Sequence, residues 1–128
     1  MVDVNPKQAE GDRKVSMAAV PCGPLFKLGQ VMQYGADKYG RHNFRTSGAI
    51  LASTYYDAAL RHLAAWWEGQ ALDPESRLEH LAHVMACMVV LLDAMDAGSF
   101  VDNRPPAASP SWLNDLNRET ADYVANRD

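Results

Sequence analysis

Three of the four histidines, His62, His80 and His83, lie between Asp57 and Asp93, together with the carboxylates of Glu75 and Glu79. Imidazole and carboxylate side chains in such density are the donor set of a divalent-cation site. Mg²⁺ wants carboxylate oxygens, and Mn²⁺ accepts an added imidazole more readily. Held beside a triphosphate, such an ion polarises a phosphoryl oxygen and activates water. The spacing argues against other chemistries. His80 and His83 are too close to match HExxH, and the chain has neither GxSxG nor a P-loop. The adjacent His-Asp pair of HD-type phosphohydrolases is also absent, which leaves that class a minor alternative. Each residue has a plainer use as well. Glu79 can close a capping box with Ser76, Asp57 can pair with Arg61 at i,i+4, and a lone helical histidine usually belongs to the core. A non-enzymatic helical oligomer or binding module is therefore the main competing reading.

The elements that must position these groups are two amphipathic helices. Leu51, Tyr55, Ala58, His62, Ala65, Trp66 and Gly69 recur at helical spacing, and so do Leu78, Leu81, Ala82, Met85, Val89 and Leu92. The link GQALDPES punctuates them. Gly69 suits the left-handed position after the first helix, while Asp73-Pro74 and Ser76-x-x-Glu79 are rival starts for the second. The pair folds as an antiparallel hairpin. A turn near residues 71–73 sets His62 beside His83 and Trp66 beside Glu79, and leaves His80 about 60° off that face.

The remaining chain is read around the hairpin. Residues 1–13 form a loose polar lead, 14–97 a helical catalytic domain, and 98–128 a linker with a last modest helix from Trp112. A further helix runs from Leu25 to Tyr39, with Leu25, Leu28, Met32, Ala36 and Tyr39 on one face. Its Gly29 and Gly35 cost about 1 kcal/mol each against alanine, and tight helix packing is the expected reason. Gly40 ends it before a cationic loop carrying Lys38, Arg41, His42, Asn43 and Arg45. No strand is expected. The reading is an all-α bundle of about four helices, completed by oligomerisation.

Composition narrows the partners. At 48% hydrophobic and 22% charged the chain is globular, and a net charge of −4 disfavours nucleic acid. No apolar run is long enough to span a membrane, the first 14 residues lack an export signal's apolar stretch, and Cys22 and Cys87 lack metal spacing. A cytoplasmic protein is expected.

Three blocks then carry a family resemblance: GADKYGRHNF (35–44), DAALRHLAAWWEG (57–69) and DPESRLEHLAHVMACMVVLLD (73–93), preceded by GDRKVSMAAVP (11–21). In this order they resemble the phage dATP/dGTP diphosphohydrolases, also called MazZ, which are similar to the all-α MazG-like pyrophosphohydrolases. The resemblance implies hydrolysis of dGTP or dATP to the monophosphate and pyrophosphate with Mg²⁺ or Mn²⁺. It further implies a phage setting that supplies 2-aminoadenine nucleotides, and assembly as a homodimer or homotetramer. The superfamily's paired Glu-x-x-Glu and Glu-x-x-Asp motifs are not present together, so the site is assigned from the hairpin itself. Asp57, Glu75, Glu79 and His83 form the expected metal shell, with His62 or His80 orienting or deprotonating water. Lys38, Arg61 and Lys14 are expected at phosphates, Asn43 at a base edge, and Trp66 or Tyr39 stacked on the base.

Overall fold

The computed structural model describes residues 5–46 and 48–127. Its helices are α1 (Pro6–Gly11), α2 (Cys22–Tyr39), α3 (Asn43–Thr46), α4 (Ala52–Trp67), α5 (His80–Ala97) and α6 (Trp112–Asn126), with a 3-10 turn at Met17–Ala19. The all-α expectation holds, but six helices replace four. Part of the lead expected to be loose is α1, which has Pro6 in its first turn and an Asn5 side chain accepting the Lys7 amide at 2.9 Å. Residues 1–4 of that lead lie outside the described residues. Helix α2 starts three residues earlier than expected. Pro24 falls in its first turn, where an amide has no intrahelical partner to lose.

Two short strands were not expected. β1 (Ile50–Leu51) pairs in parallel with β2 (Phe100–Val101), tying the entry of α4 to the exit of α5. Two residues are too few to show alternation in a sequence.

Helix α5 is the axis. Ala82, Ala86, Cys87, Val90 and Ala94 are buried on it, and the small side chains let neighbouring helices approach closely. One core cluster joins Val90 and Ala94 to Phe44 and Ile50, with Met32, Tyr55, Leu91 and Phe100 packed against it. The other joins Ala82 and Ala86 to Val31, with Leu28, Leu78 and Met85 alongside. Leu81 and Leu92 were expected on the inner face but are exposed. The helix is apolar nearly all round, so its periodicity does not single out the inner side. On length and apolarity α5 would also pass for a membrane span. On α2, Val31 is the buried residue, while Leu25 and Tyr39 are exposed. A Cβ added to Gly29 or Gly35 would meet no atom within 4 Å, so tight packing does not explain either glycine.

The connection across residues 68–79 departs most from expectation. Gly69 does take the left-handed region, with φ 101°. Neither anticipated cap starts α5, however. Arg77 has φ 63°, which breaks any helix begun at Asp73 or Ser76. Leu72 then bridges to Glu79 in antiparallel fashion, and the His80 amide donates to the Ala71 carbonyl at 2.9 Å. The Ser76 hydroxyl is already taken by the Leu78 amide and by His83. Helix α5 therefore begins at His80, and the loop is folded back toward the helices.

Candidate active site

The α4–α5 hairpin brings His62 and His83 level, as the register predicts. Their rings stack with centroids 4.4 Å apart and planes 6° from parallel. His80 departs from its expected place, since its Nδ1 lies 2.8 Å from Nδ1 of His62. As the first residue of α5 it leaves the folded-back loop and reaches across to α4. The folded-back loop supplies the other partners. Gln70 Oε1 is 2.7 Å from His80 Nε2, and Ser76 Oγ is 2.7 Å from His83 Nε2. Asp73 Oδ2 accepts the amides of Ser76 at 2.8 Å and Glu75 at 3.1 Å.

These bonds restrict the tautomers that fit together. In the tautomer that donates from His80 Nε2 to the Gln70 carbonyl oxygen, His80 Nδ1 is an acceptor and His62 donates to it. A cation bound through both Nδ1 atoms requires that shared proton to leave the pair, by moving to His62 Nε2 or by release. Burial lowers the pKa of His62, and the neighbouring His83 lowers it further. Burial likewise lowers that of His83. Burial would raise the Asp73 carboxyl, but the Ser76 amide and hydroxyl with the His83 and His62 imidazoles outweigh it and hold the group below its ordinary value. His62 and His83 are thus biased toward the neutral form beside a carboxyl biased toward the ionised one. Among the described residues, one group has ligand atoms converging as a cation requires. His62, Asp73 and His80 each offer an atom within 4.8 Å of the others. Two imidazoles and one carboxylate suit Mn²⁺ better than Mg²⁺.

Against this cluster opens a cleft of about 770 Å³, lined from α2 through α5 and including His62, His83, Lys38, Tyr39 and Asn43. That volume falls within the range of small-ligand sites. Gly35 also lines it, with open space where a Cβ would stand. Glu75 accepts from Tyr34 Oη and Lys38 Nζ, both at 3.0 Å, which fastens the loop to α2. Lys38 first, then Tyr34, holds the Glu75 carboxyl below its usual range.

The expected metal shell of Asp57, Glu75, Glu79 and His83 is not brought together. Asp57 is exposed on α4, Glu75 is engaged by Lys38 and Tyr34, and Glu79 pairs with Lys27 at 2.8 Å. Of these four only His83 stands in the cluster, stacked on His62. Lys38, Tyr39 and Asn43 line the cleft, whereas Lys14, Arg61 and Trp66 do not. Lys14 and Arg61 are exposed, and Trp66 lines a separate shallow depression with Trp67, Gly69 and Ala71. Sequence reasoning missed Tyr34, Gln70, Ser76 and, as a candidate ligand, Asp73. Asp73 was visible only as a cap, and its carboxylate does cap a turn, at Glu75 and Ser76.

Fold and site together define a small helical protein with a His/Asp cluster beside a cleft of small-ligand size. The family model described as dATP/dGTP diphosphohydrolase, N-terminal, matches residues 4–104, and the chain belongs to that family. The match runs from α1 through β2 and stops before α6. No curated protein and no solved structure matches the chain.

Proposed function

We propose that the chain hydrolyses purine deoxynucleoside triphosphates, dATP or dGTP, in the cleft beside His62 and His83. Water adds at the α-phosphorus, the bond to the β-phosphate breaks, and the monophosphate and pyrophosphate leave. The convergence of His62, Asp73 and His80 within 4.8 Å is the observation that carries this reading, alongside the family membership. These three residues would hold a divalent cation, Mn²⁺ by preference. The cation would supply Lewis-acid stabilisation to charge developing on phosphoryl oxygens.

The chain's own side chains supply the rest. His83 lines the cleft and is neutral, so it is placed to take the proton of the attacking water. His80 is buried and does not line the cleft, which suits a ligand better than a base. The roles expected for these two histidines are thereby exchanged. Lys38 neutralises phosphate charge at the rim, Asn43 offers an amide to a base edge, and Tyr39 offers a stacking face. Self-assembly as a homo-oligomer and a cytoplasmic setting, within a phage nucleotide pathway, belong to the same proposal.

The test is incubation of the full chain with each dNTP and Mn²⁺ or Mg²⁺. Pyrophosphate and dNMP in equal amounts are expected. Orthophosphate in their place, or no turnover with any dNTP and either metal, overturns the reading.

A further inference from the structure

The chain leaves far more surface uncovered than its mass requires. Its accessible area is 10371 Å² at 14.1 kDa, against about 6,700 Å² for a compact monomer of that mass. The uncovered apolar groups are ordered into stripes. Tyr56, Leu60, Leu63 and Trp67 recur at helical spacing along α4, and Leu81, Met88, Leu92 and Met95 along α5, each at least 40% exposed. Helix α6 carries a third stripe of Trp112, Leu113, Leu116, Tyr123 and Val124, and no residue of α6 is buried. Its polar side holds Asp115, Arg118, Glu119 and Asp122. The helix follows a segment containing Pro105, Pro106 and Pro110, a composition that makes a semi-rigid spacer.

We propose that α6 is an exchanged arm, lying on the α4–α5 stripe of a second copy of this chain while that copy's α6 lies on the first. Every copy carries both faces, so a reciprocal contact about a two-fold axis satisfies each with nothing left over. The lengths agree. At 1.5 Å per residue the α6 stripe runs about 18 Å and the α5 stripe about 21 Å. The amounts agree as well. The excess area of roughly 3,600 Å² per chain, about 7,200 Å² for a pair, is enough to supply an obligate homodimer interface of about 2,000–5,000 Å² in total. In this arrangement the polar side of α6 stays in water. The arm lies beyond the family match, which ends at residue 104. The inference rests on self-assembly as part of the proposed function, and not on the hydrolysis.

Sedimentation velocity on the full chain tests it, with Leu116→Asp on the arm and Leu92→Asp on the stripe. Both side chains are at least half exposed within one chain, so circular dichroism should show unchanged helicity. The parent chain is expected to sediment as a dimer or larger, and each variant to dissociate at concentrations at least about tenfold higher. Mixed one to one, the two variants should associate again, because the intact arm of one meets the intact stripe of the other. A mixture that stays dissociated overturns the arm-on-stripe contact, and so does a Leu92→Asp chain that assembles like the parent while Leu116→Asp does not, which would mean α6 pairing with α6. A Leu116→Asp chain that assembles like the parent overturns the arm but leaves self-assembly standing. A monomeric parent chain overturns both.

Discussion

The two sides of the α4–α5 hairpin invert the usual order. Its inner side holds three histidines, His80 only 3% exposed and His62 and His83 half-buried, and each buried polar side-chain atom among the described residues has a partner. Its outer side shows Leu60, Trp67, Leu92 and Met95 to solvent. Buried polar groups and exposed apolar stripes are the informative departures from a generic fold. A buried imidazole network costs desolvation and is useful only where its geometry is needed, so the inner side reads as chemistry. An apolar stripe on a helix is useful only when covered, so the outer side reads as assembly. On the proposed function and the proposed exchange, the same two helices would serve both.

The sharpest way to break this division is His80→Ala. The change removes an imidazole that partners both His62 and Gln70, and leaves their polar atoms unpaired in a half-buried setting. A stability loss of about 1–3 kcal/mol is expected from the orphaned groups alone. Turnover should fall by about 100-fold or more if the residue is also a ligand. Thermal denaturation and pyrophosphate release measure the two. A variant that is less stable yet fully active would make His80 a core residue and return the site to His83.

Asp73→Asn separates charge from structure. The amide oxygen can still accept the Ser76 and Glu75 amides, so the turn should survive with little change in melting temperature. Loss of the negative oxygen should weaken Mn²⁺ binding by about 10–100-fold. Calorimetric Mn²⁺ titration decides, and unchanged affinity would leave Asp73 a turn cap only.

Much of the inner side was legible beforehand because helix geometry is local. Counting along a hairpin was enough to set His62 against His83. The loop was not legible, because its path depends on Arg77 adopting a left-handed backbone and on Leu78 packing under α2. Nothing in DPESRLEH announces either. Without that path Asp73 looks only like a cap, Gln70 like a solvated side chain with no link to His80, and His80 like a histidine facing away. The acids chosen instead, Glu75 and Glu79, have the right chemistry but are held by Lys38 and Lys27 of α2, a helix whose register against the hairpin no spacing rule supplies.

Acid should act on the inner side first. The folded-state pKa values of His62 and His83 lie below the ordinary value, so the unfolded chain binds protons before the folded one does as pH falls. Stability should be flat above about pH 6.5 and decline below it, down through the lowered folded values. Asp73 and Glu75 have the opposite chemistry and add a second loss at lower pH, as protons reach carboxylates held below their ordinary values. Melting temperatures from pH 8 to pH 5 test this, and in a His62→Gln, His83→Gln double variant the first decline should flatten. An unaltered decline would place its source outside the cluster.

The smallest effect is expected at Glu79, which is where the fold and the sequence reading disagree most directly. The carboxylate meets Lys27 at 2.8 Å with both side chains about half exposed. Such pairs contribute about 0–1 kcal/mol, less in salt. Glu79 occupies the N-cap position of α5, but its side chain makes no capping bond. Its backbone does the structural work, pairing with Leu72 and accepting the His83 amide. Glu79→Gln keeps that backbone and most of the side chain's volume. Stability should change by about 0.5 kcal/mol or less, and turnover and Mn²⁺ affinity should stay within about twofold of the parent. Lys27→Gln should look the same, and the double variant should match either single one, because the pair is the only interaction between them at stake. A tenfold loss of Mn²⁺ affinity in Glu79→Gln with an unchanged melting temperature would mean that Glu79 leaves Lys27 for the cation. The inner side would then extend past the His62–Asp73–His80 group, and the loop would have to move when the ion binds.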